Sequence, residues 1–189
     1  MSHFPNDIAT LVARAALAYV YLYAAYLNAK PENREWLLSH TALLFPPGTA
    51  PFLINASAFI GVAMMFVGGF LVLVGLATWL GCALLIVFTI LGYLQHRSEV
   101  EFATKTADAL SGEIEALLAG ASHAEAIRGD LLNLRISAYS GQFSSGLKNW
   151  GLIGAFVLLG AVGGGVFSLD HYLTELRPSW LIDAIVWPM

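Results

Sequence analysis

The chain has 189 residues, of which 58% are hydrophobic and only 12% are charged, and its formal net charge at pH 7 is −4. Soluble domains average about 25% charged residues, so this composition argues against a water-soluble globular protein and indicates a membrane protein. The mean hydropathy of +0.70 agrees with that class. The negative net charge gives no reason to expect nucleic acid as a partner.

The first apolar run, residues 8–27, is long enough to cross a bilayer once. No basic segment precedes it, and Asp7 stands there instead, so we interpret the run as a retained span rather than a signal peptide. Arg14 lies near its start, on the same helical face as Tyr21. A charged residue in a span reaches the interface or faces the bundle interior, and both alternatives are open for Arg14.

The longest apolar stretch, residues 53–94, contains no Asp, Glu, Lys or Arg. As one helix it would measure about 63 Å, whereas the hydrocarbon core of a bilayer is about 30 Å thick. The sequence therefore predicts two spans, 53–74 and 76–94, with a tight reversal at 75–79. In the preceding loop, residues 35–45 are predicted to form a short helix at the membrane surface.

Charged residues return in residues 95–147, where two helical segments carry narrow apolar seams of the kind that paired helices use. Ser98 with Glu101, and Ser122 with Glu125, have the spacing of a capping box, which predicts a helix start at each serine. We therefore predict an antiparallel helical hairpin outside the bilayer, inserted between the third and fourth spans.

The fourth predicted span covers residues 149–167 and contains the triple glycine 163–165. These glycines open space that a neighbouring helix or a bound molecule must fill. The predicted fold class is thus an all-α, integral membrane four-helix bundle. With four crossings, Arg14 and Asp170 emerge at the same membrane face, and we predict that they form an ion pair. Basic residues are concentrated on the opposite side, which places the helical hairpin in the cytoplasm.

The candidate ligand chemistry is that of a quinone. A quinone needs an apolar slot between helices and polar groups that bind its carbonyl oxygens. Arg14, Tyr21 and Asp170 are predicted to contact its head group, where the glycine-rich span leaves room.

Other site chemistries find less support. The sequence contains no nucleotide-binding loop, no zinc motif and no Ser/His/Asp order, so no metal site is predicted. His40 and His96 fall on the same predicted membrane face and could in principle ligate haem b, although solvated loop histidines are the simpler interpretation. The single cysteine, Cys82, excludes a disulfide within the chain.

Several motifs resemble those of the DoxX/DoxD-type membrane proteins. The resemblance covers about residues 11–94 and 147–170, leaving out the inserted hairpin. Two departures are that Trp79 stands where the family has a basic residue, and that no acidic residue occurs early in the second span. The motifs are Arg14 with Asn28-Ala29-Lys30, Gly75-Leu76-Ala77-Thr78, Lys148-Asn149-Trp150-Gly151-Leu152 and Ser168-Leu169-Asp170.

The resemblance implies a multi-pass protein of the prokaryotic cytoplasmic membrane. Members of this family include the small membrane subunit of a thiosulfate:quinone oxidoreductase, so the implied function is that of a subunit in a quinone-linked redox complex. The alternative is a non-catalytic accessory subunit that packs into a larger membrane complex. Both imply a lipid bilayer and either other subunits or further copies of the chain as partners. A transporter is less favoured because charges within the spans are scarce.

Overall fold

The computed structural model describes residues 4–118 and 124–176, and within these ranges it contains helices and no strand. Four of the helices are long and apolar enough to cross a membrane, which confirms the predicted all-α class and the number of candidate spans. The helices are α1 (Phe4–Asn28), α2 (Arg34–Ala42), α3 (Pro51–Val74), α4 (Thr78–Leu118), α5 (Ala124–Val162) and α6 (Leu169–Leu176), with a 3-10 turn at Pro31–Asn33 before α2.

The predicted reversal between the second and third spans is confirmed. Helix α3 begins with Pro51, whose fixed φ suits a first helical position. It ends at Gly75, which adopts the left-handed conformation with φ 68° and donates its N–H to the Leu71 carbonyl at 2.9 Å. Helix α4 then starts at Thr78. The short predicted helix before α3 is present as α2.

Helices α4 and α5 do not stop where the hydropathy changes. The helix start predicted at Ser98 is wrong, because α4 runs unbroken through this position and the Ser98 hydroxyl donates to the Leu94 carbonyl at 3.2 Å. The second predicted start, at Ser122, lies outside the described residues. A helix makes its backbone hydrogen bonds internally in both lipid and water, so a change from apolar to polar side chains does not end it.

Helix α5 ends earlier than the predicted fourth span. It stops at Val162, and Gly163 and Gly165 then adopt positive φ values of 79° and 71°. The prediction of a helix to residue 167 is therefore wrong at its end. Glycine reaches this conformation without steric cost, so the triple glycine forms a turn that leads into α6.

The core lies between α1, α3, α4 and α5, and glycine lets these helices approach closely. A Cβ atom on Gly68 would lie 2.8 Å from Leu85 of α4, and one on Gly69 would lie 3.0 Å from Leu22 of α1. In lipid, packing of this kind is a main source of helix association. Buried residues of the core include Ala18, Tyr21, Val72, Leu85 and Phe156.

Candidate functional site

Arg14 is buried at one end of the bundle, where it binds the end of α3 and the turn that follows α5. Its guanidinium donates to the carbonyls of Val72 and Leu73 at 2.9 and 2.7 Å, and to those of Gly164 and Phe167 at 2.8 Å each. The side chain is only 1% exposed. The last carbonyls of a helix have no partner within the helix and carry its negative dipole end, so a cation placed there is stabilising.

Asp170 binds backbone N–H groups at the start of α4, as Arg14 binds backbone carbonyls. Its carboxylate accepts the backbone N–H groups of Ala77 and Thr78 at 2.7 and 3.1 Å, and the Thr78 hydroxyl at 3.2 Å. The backbone N–H of Asp170 donates to the Gly75 carbonyl at 2.9 Å. A carboxylate at a helix N-terminus satisfies unpaired N–H groups and faces the positive dipole end.

The structure places Arg14 and Asp170 at the same end of the bundle, as predicted. No ion pair of the described part of the chain with a separation of 4.0 Å or less joins them. The carboxylate acts on the guanidinium at longer range. Arg14 makes its hydrogen bonds to backbone carbonyls, and Asp170 makes its own to backbone N–H groups and the Thr78 hydroxyl.

We expect Asp170→Ala to lower the free energy of unfolding by about 1–2 kcal/mol, the usual effect of losing a helix cap. Asp170→Asn should lower it less, because one acceptor oxygen is kept. Thermal unfolding in detergent measures the effect, and Asp130→Ala, at an exposed aspartate of α5, is the control. Equal unfolding temperatures for Asp170→Ala and the control would show that the cap contributes nothing.

A first cavity of about 520 Å³ lies next to this cluster. Thr78, Gly160, Asp170 and His171 are among the residues that line it, whereas Arg14 is enclosed by the helix ends. The three residues predicted to contact a quinone head group thus do not line one cavity together. Asp170 reaches this cavity, Arg14 has its donors on carbonyls, and Tyr21 is two turns of α1 away.

The larger cavity, of about 680 Å³, lies toward the other end of the bundle and includes Tyr21. The Tyr21 hydroxyl is 2.6 Å from the Thr89 hydroxyl, which itself donates to the Leu85 carbonyl. Tyr21 is therefore the donor in this pair, and its oxygen can only accept a further hydrogen bond. Apolar side chains of α1 to α5 line most of the cavity, among them Val20, Leu37, Met65, Phe88 and Leu152.

The polar end of the larger cavity is built around Glu99, which is only 8% exposed. Its carboxylate lies 3.4 Å from Nδ1 of His96 and 3.7 Å from Nε2 of His40, and it accepts a hydrogen bond from Gln95 at 3.0 Å. Gln142 of α5 also contacts His96, with Oε1 2.6 Å from Nδ1. Helices α2, α4 and α5 thus converge on one buried carboxylate.

These contacts fix the proton positions on both imidazole rings. Nδ1 of His96 faces two oxygen acceptors, from Glu99 and Gln142, so this nitrogen carries a hydrogen. Nδ1 of His40 lies 2.8 Å from the Trp36 carbonyl and is likewise a donor. In the neutral His96 ring, Nε2 is therefore the nitrogen without a hydrogen.

Glu99 is a site residue that no sequence motif predicts. Its neighbours His40 and His96 were placed on one membrane face as possible haem ligands, and the structure brings both rings to the carboxylate instead. Residues 4–118 and 124–176 contain no group of three or more His, Cys, Asp or Glu arranged to hold a metal ion. The available signal was the spacing of His96 and Glu99, three residues apart at the end of an apolar run, which puts them on one helical face.

Comparison with protein-family models, with curated proteins and with solved structures gives no match to this chain. The function must therefore be inferred from the two ends of the bundle themselves.

Proposed function

We propose that the protein is a membrane subunit that binds a quinone in the larger cavity. The observation that carries the proposal is a cavity of about 680 Å³ with an apolar body and one polar end, where His96, Gln142 and Asn149 are among the lining residues. Pockets for small ligands have volumes of about 300–1,000 Å³, mostly apolar walls and a few polar groups. Helix-borne side chains of this kind suit a lipid-soluble molecule with a polar head.

The charges of the cavity favour an uncharged head group. Glu99 lies between His96 and His40, so the buried carboxylate already has partners among the described side chains. A phosphate would be repelled by Glu99, and a cationic ligand would compete with the histidines for it. A quinone carbonyl needs only hydrogen-bond donors, which His96 and the amides of Gln142 and Asn149 can supply.

A quinone in the larger cavity would contact only one of the three residues predicted from the sequence to bind it. Arg14 has four hydrogen bonds to carbonyls, and Asp170 caps α4. Of the three, Tyr21 lines the larger cavity. We propose that Tyr21 contributes to the wall there, and that Arg14 and Asp170 hold the bundle together.

The proposed setting is that of a DoxX/DoxD-like subunit in the prokaryotic cytoplasmic membrane, working with a partner that supplies electrons to the quinone. Four apolar helices long enough to cross a membrane support a multi-pass location. The sequence motifs described above support the family, and their similarity to a thiosulfate:quinone oxidoreductase subunit supports a role in a redox complex.

We further propose that the hairpin of residues 95–147 stands outside the bilayer. At 1.5 Å per residue, the 41 residues of α4 and the 39 of α5 measure about 62 and 59 Å, twice the hydrocarbon thickness of about 30 Å. Ion pairs between Lys105 and Glu101, and between Arg135 and Asp108, lie on this half of the two helices. Charged groups in such numbers are costly within lipid.

A cavity-filling substitution tests the quinone site. Ala24 lines the cavity from α1, and we expect Ala24→Phe to lower the amount of quinone that co-purifies with the protein at least about tenfold, because the ring occupies the apolar body. Ala16→Phe, at an exposed position of the same helix, is the matched control and should retain wild-type quinone. Quinone is extracted from protein purified out of native membranes and quantified by mass spectrometry.

The proposal is wrong if the wild-type protein carries no quinone and binds none when a short-chain quinone is added. It is also wrong if Ala24→Phe and Ala16→Phe, both monodisperse by gel filtration, retain equal amounts.

A second candidate function is that of an accessory subunit without a quinone. It is supported by exposed apolar side chains that recur every three or four residues along α5: Leu132, Ile136, Tyr139 and Phe143. Exposed apolar stripes of this kind mark sites of protein contact. A stoichiometric complex from native membranes that contains no quinone would favour this function.

A further inference from the structure

One nitrogen of the His96 imidazole is hydrogen-bonded within the described chain, and the other is not. Nδ1 donates toward Glu99 and Gln142, at 3.4 and 2.6 Å. Nε2 makes no hydrogen bond within the described residues, and His96 lines the larger cavity. A histidine held in this way by a carboxylate has a fixed tautomer and a fixed ring orientation, and its second nitrogen is available to a ligand.

We propose that Nε2 of His96 binds the oxygen of the head group in the larger cavity, that Glu99 is the positioning residue for this ring, and that the pair makes binding depend on pH and on the redox form of the ligand. The inference rests on the proposed quinone site and names the group that recognises the head. It assigns His96 and Glu99 a task that no sequence motif indicated.

The direction of the pH dependence follows from the hydrogen count on the ring. Because Nδ1 already carries a hydrogen, Nε2 carries one only when the ring is protonated. A quinone carbonyl accepts hydrogen bonds, so the quinone binds the protonated ring better and is favoured at low pH. A quinol hydroxyl can donate a hydrogen bond to Nε2 only when the ring is neutral, so the quinol binds more tightly at higher pH. The two ligand forms therefore respond to pH in opposite directions.

The groups around the ring act on this equilibrium from three helices. Glu99 and Gln95 belong to its own helix α4, His40 approaches Glu99 from α2, and Lys148 of α5 acts electrostatically on His96. Helices α1 and α3 contribute no Asp, Glu, Lys or Arg to the described lining of the cavity. His40 and His96 thus contact the same carboxylate.

The test measures binding of a short-chain benzoquinone and of its quinol to the purified full-length protein at about pH 5.5 and about pH 8.5, a range that brackets the ordinary titration of histidine. Trp36 lines the cavity, so quenching of its fluorescence reports binding, with Trp36→Phe as the control for the origin of the signal. Quinol is measured without oxygen. For the wild type we expect the quinone to bind about tenfold more tightly at the lower pH, the value of one hydrogen bond from a charged donor. The quinol should bind more tightly at the higher pH.

Two substitutions separate the roles of the ring and the carboxylate. His96→Gln should remove both pH slopes while the quinone still binds through the rest of the cavity. Glu99→Gln keeps an oxygen acceptor for Nδ1 but removes the charge, so the quinone slope should move to lower pH. His171→Gln, at the other end of the bundle, should leave both slopes unchanged.

Slopes that persist in a monodisperse His96→Gln variant would overturn the role of His96 even though the quinone site stands. Slopes of the same sign for quinone and quinol would overturn the hydrogen-bond assignment. Absence of quinone binding by the wild type would overturn this inference together with the proposed function.

Discussion

Arg14→Met is expected to lower the free energy of unfolding by about 4 kcal/mol or more, the largest effect of any single substitution considered for this protein. The substitution removes four hydrogen bonds from a charged donor, two to carbonyls at the end of α3 and two to carbonyls of the turn after α5. Methionine fills much of the same volume but offers no donor, so those carbonyls lose their partner in a buried place. A loss of this size corresponds to a fall in unfolding temperature on the order of 10 °C.

Two further variants show whether the stabilising effect of Arg14 comes from the hydrogen-bond geometry of the guanidinium or from its charge. Arg14→Lys keeps the positive charge but offers one nitrogen where the guanidinium uses three, so we expect it to recover only part of the loss. Arg34→Met removes an exposed arginine of α2 and should change the unfolding temperature little. Thermal unfolding in a mild detergent is the measurement. An Arg14→Met protein as stable as Arg34→Met would remove the structural role assigned to this side chain.

Gly75→Ala is expected to lower the free energy of unfolding by about 3 kcal/mol, from two causes that add. The position has φ 68°, which costs a residue with a Cβ about 1–2 kcal/mol. The new Cβ would also lie 2.5 Å from Cβ of Ser168 and 2.6 Å from a terminal nitrogen of Arg14, so these buried groups must move. Such overpacking commonly costs a further amount of about 1–3 kcal/mol.

Gly48→Ala is the matched control for Gly75→Ala. Gly48 also has a positive φ, of 87°, but a Cβ there would meet no atom within 4 Å. The control therefore carries the backbone cost without the collision, and the difference in unfolding temperature between the two variants measures the collision alone. Equal losses of stability would mean that the Arg14 cluster adapts to a methyl group, contrary to the packing described above.

The two ends of the bundle have different roles. At the Arg14 end, polar side chains are directed to backbone groups that helix termini leave unpaired, which makes this end a structural closure. At the Glu99 end, polar side chains are directed to one another around a cavity, and Nε2 of His96 makes no hydrogen bond within the described chain. The second arrangement therefore leaves a hydrogen-bonding nitrogen for a ligand.

The sequence by itself determined the membrane-type helices and the turn between α3 and α4. Apolar runs longer than about 20 residues have few alternatives to a membrane helix, because only closed hydrogen bonding is stable in lipid. The glycine at position 75 predicts a reversal for a local reason, since glycine adopts the left-handed conformation without steric cost. An even number of such helices also placed Arg14 and Asp170 at one end of the bundle.

Only the tertiary structure decided what the polar side chains do. Nothing local indicates that Arg14 binds carbonyls of α3 and of the segment after α5, which lie 58 to 153 residues away in the chain. From its sequence context, Glu99 is expected to be a solvated helix residue. In the structure, α2 places His40 and α5 places Gln142 at the same cavity. Hydrophobic pattern fixes how each helix meets lipid, whereas the partner of a polar group depends on which helices pack together, and that information is distributed over the whole chain.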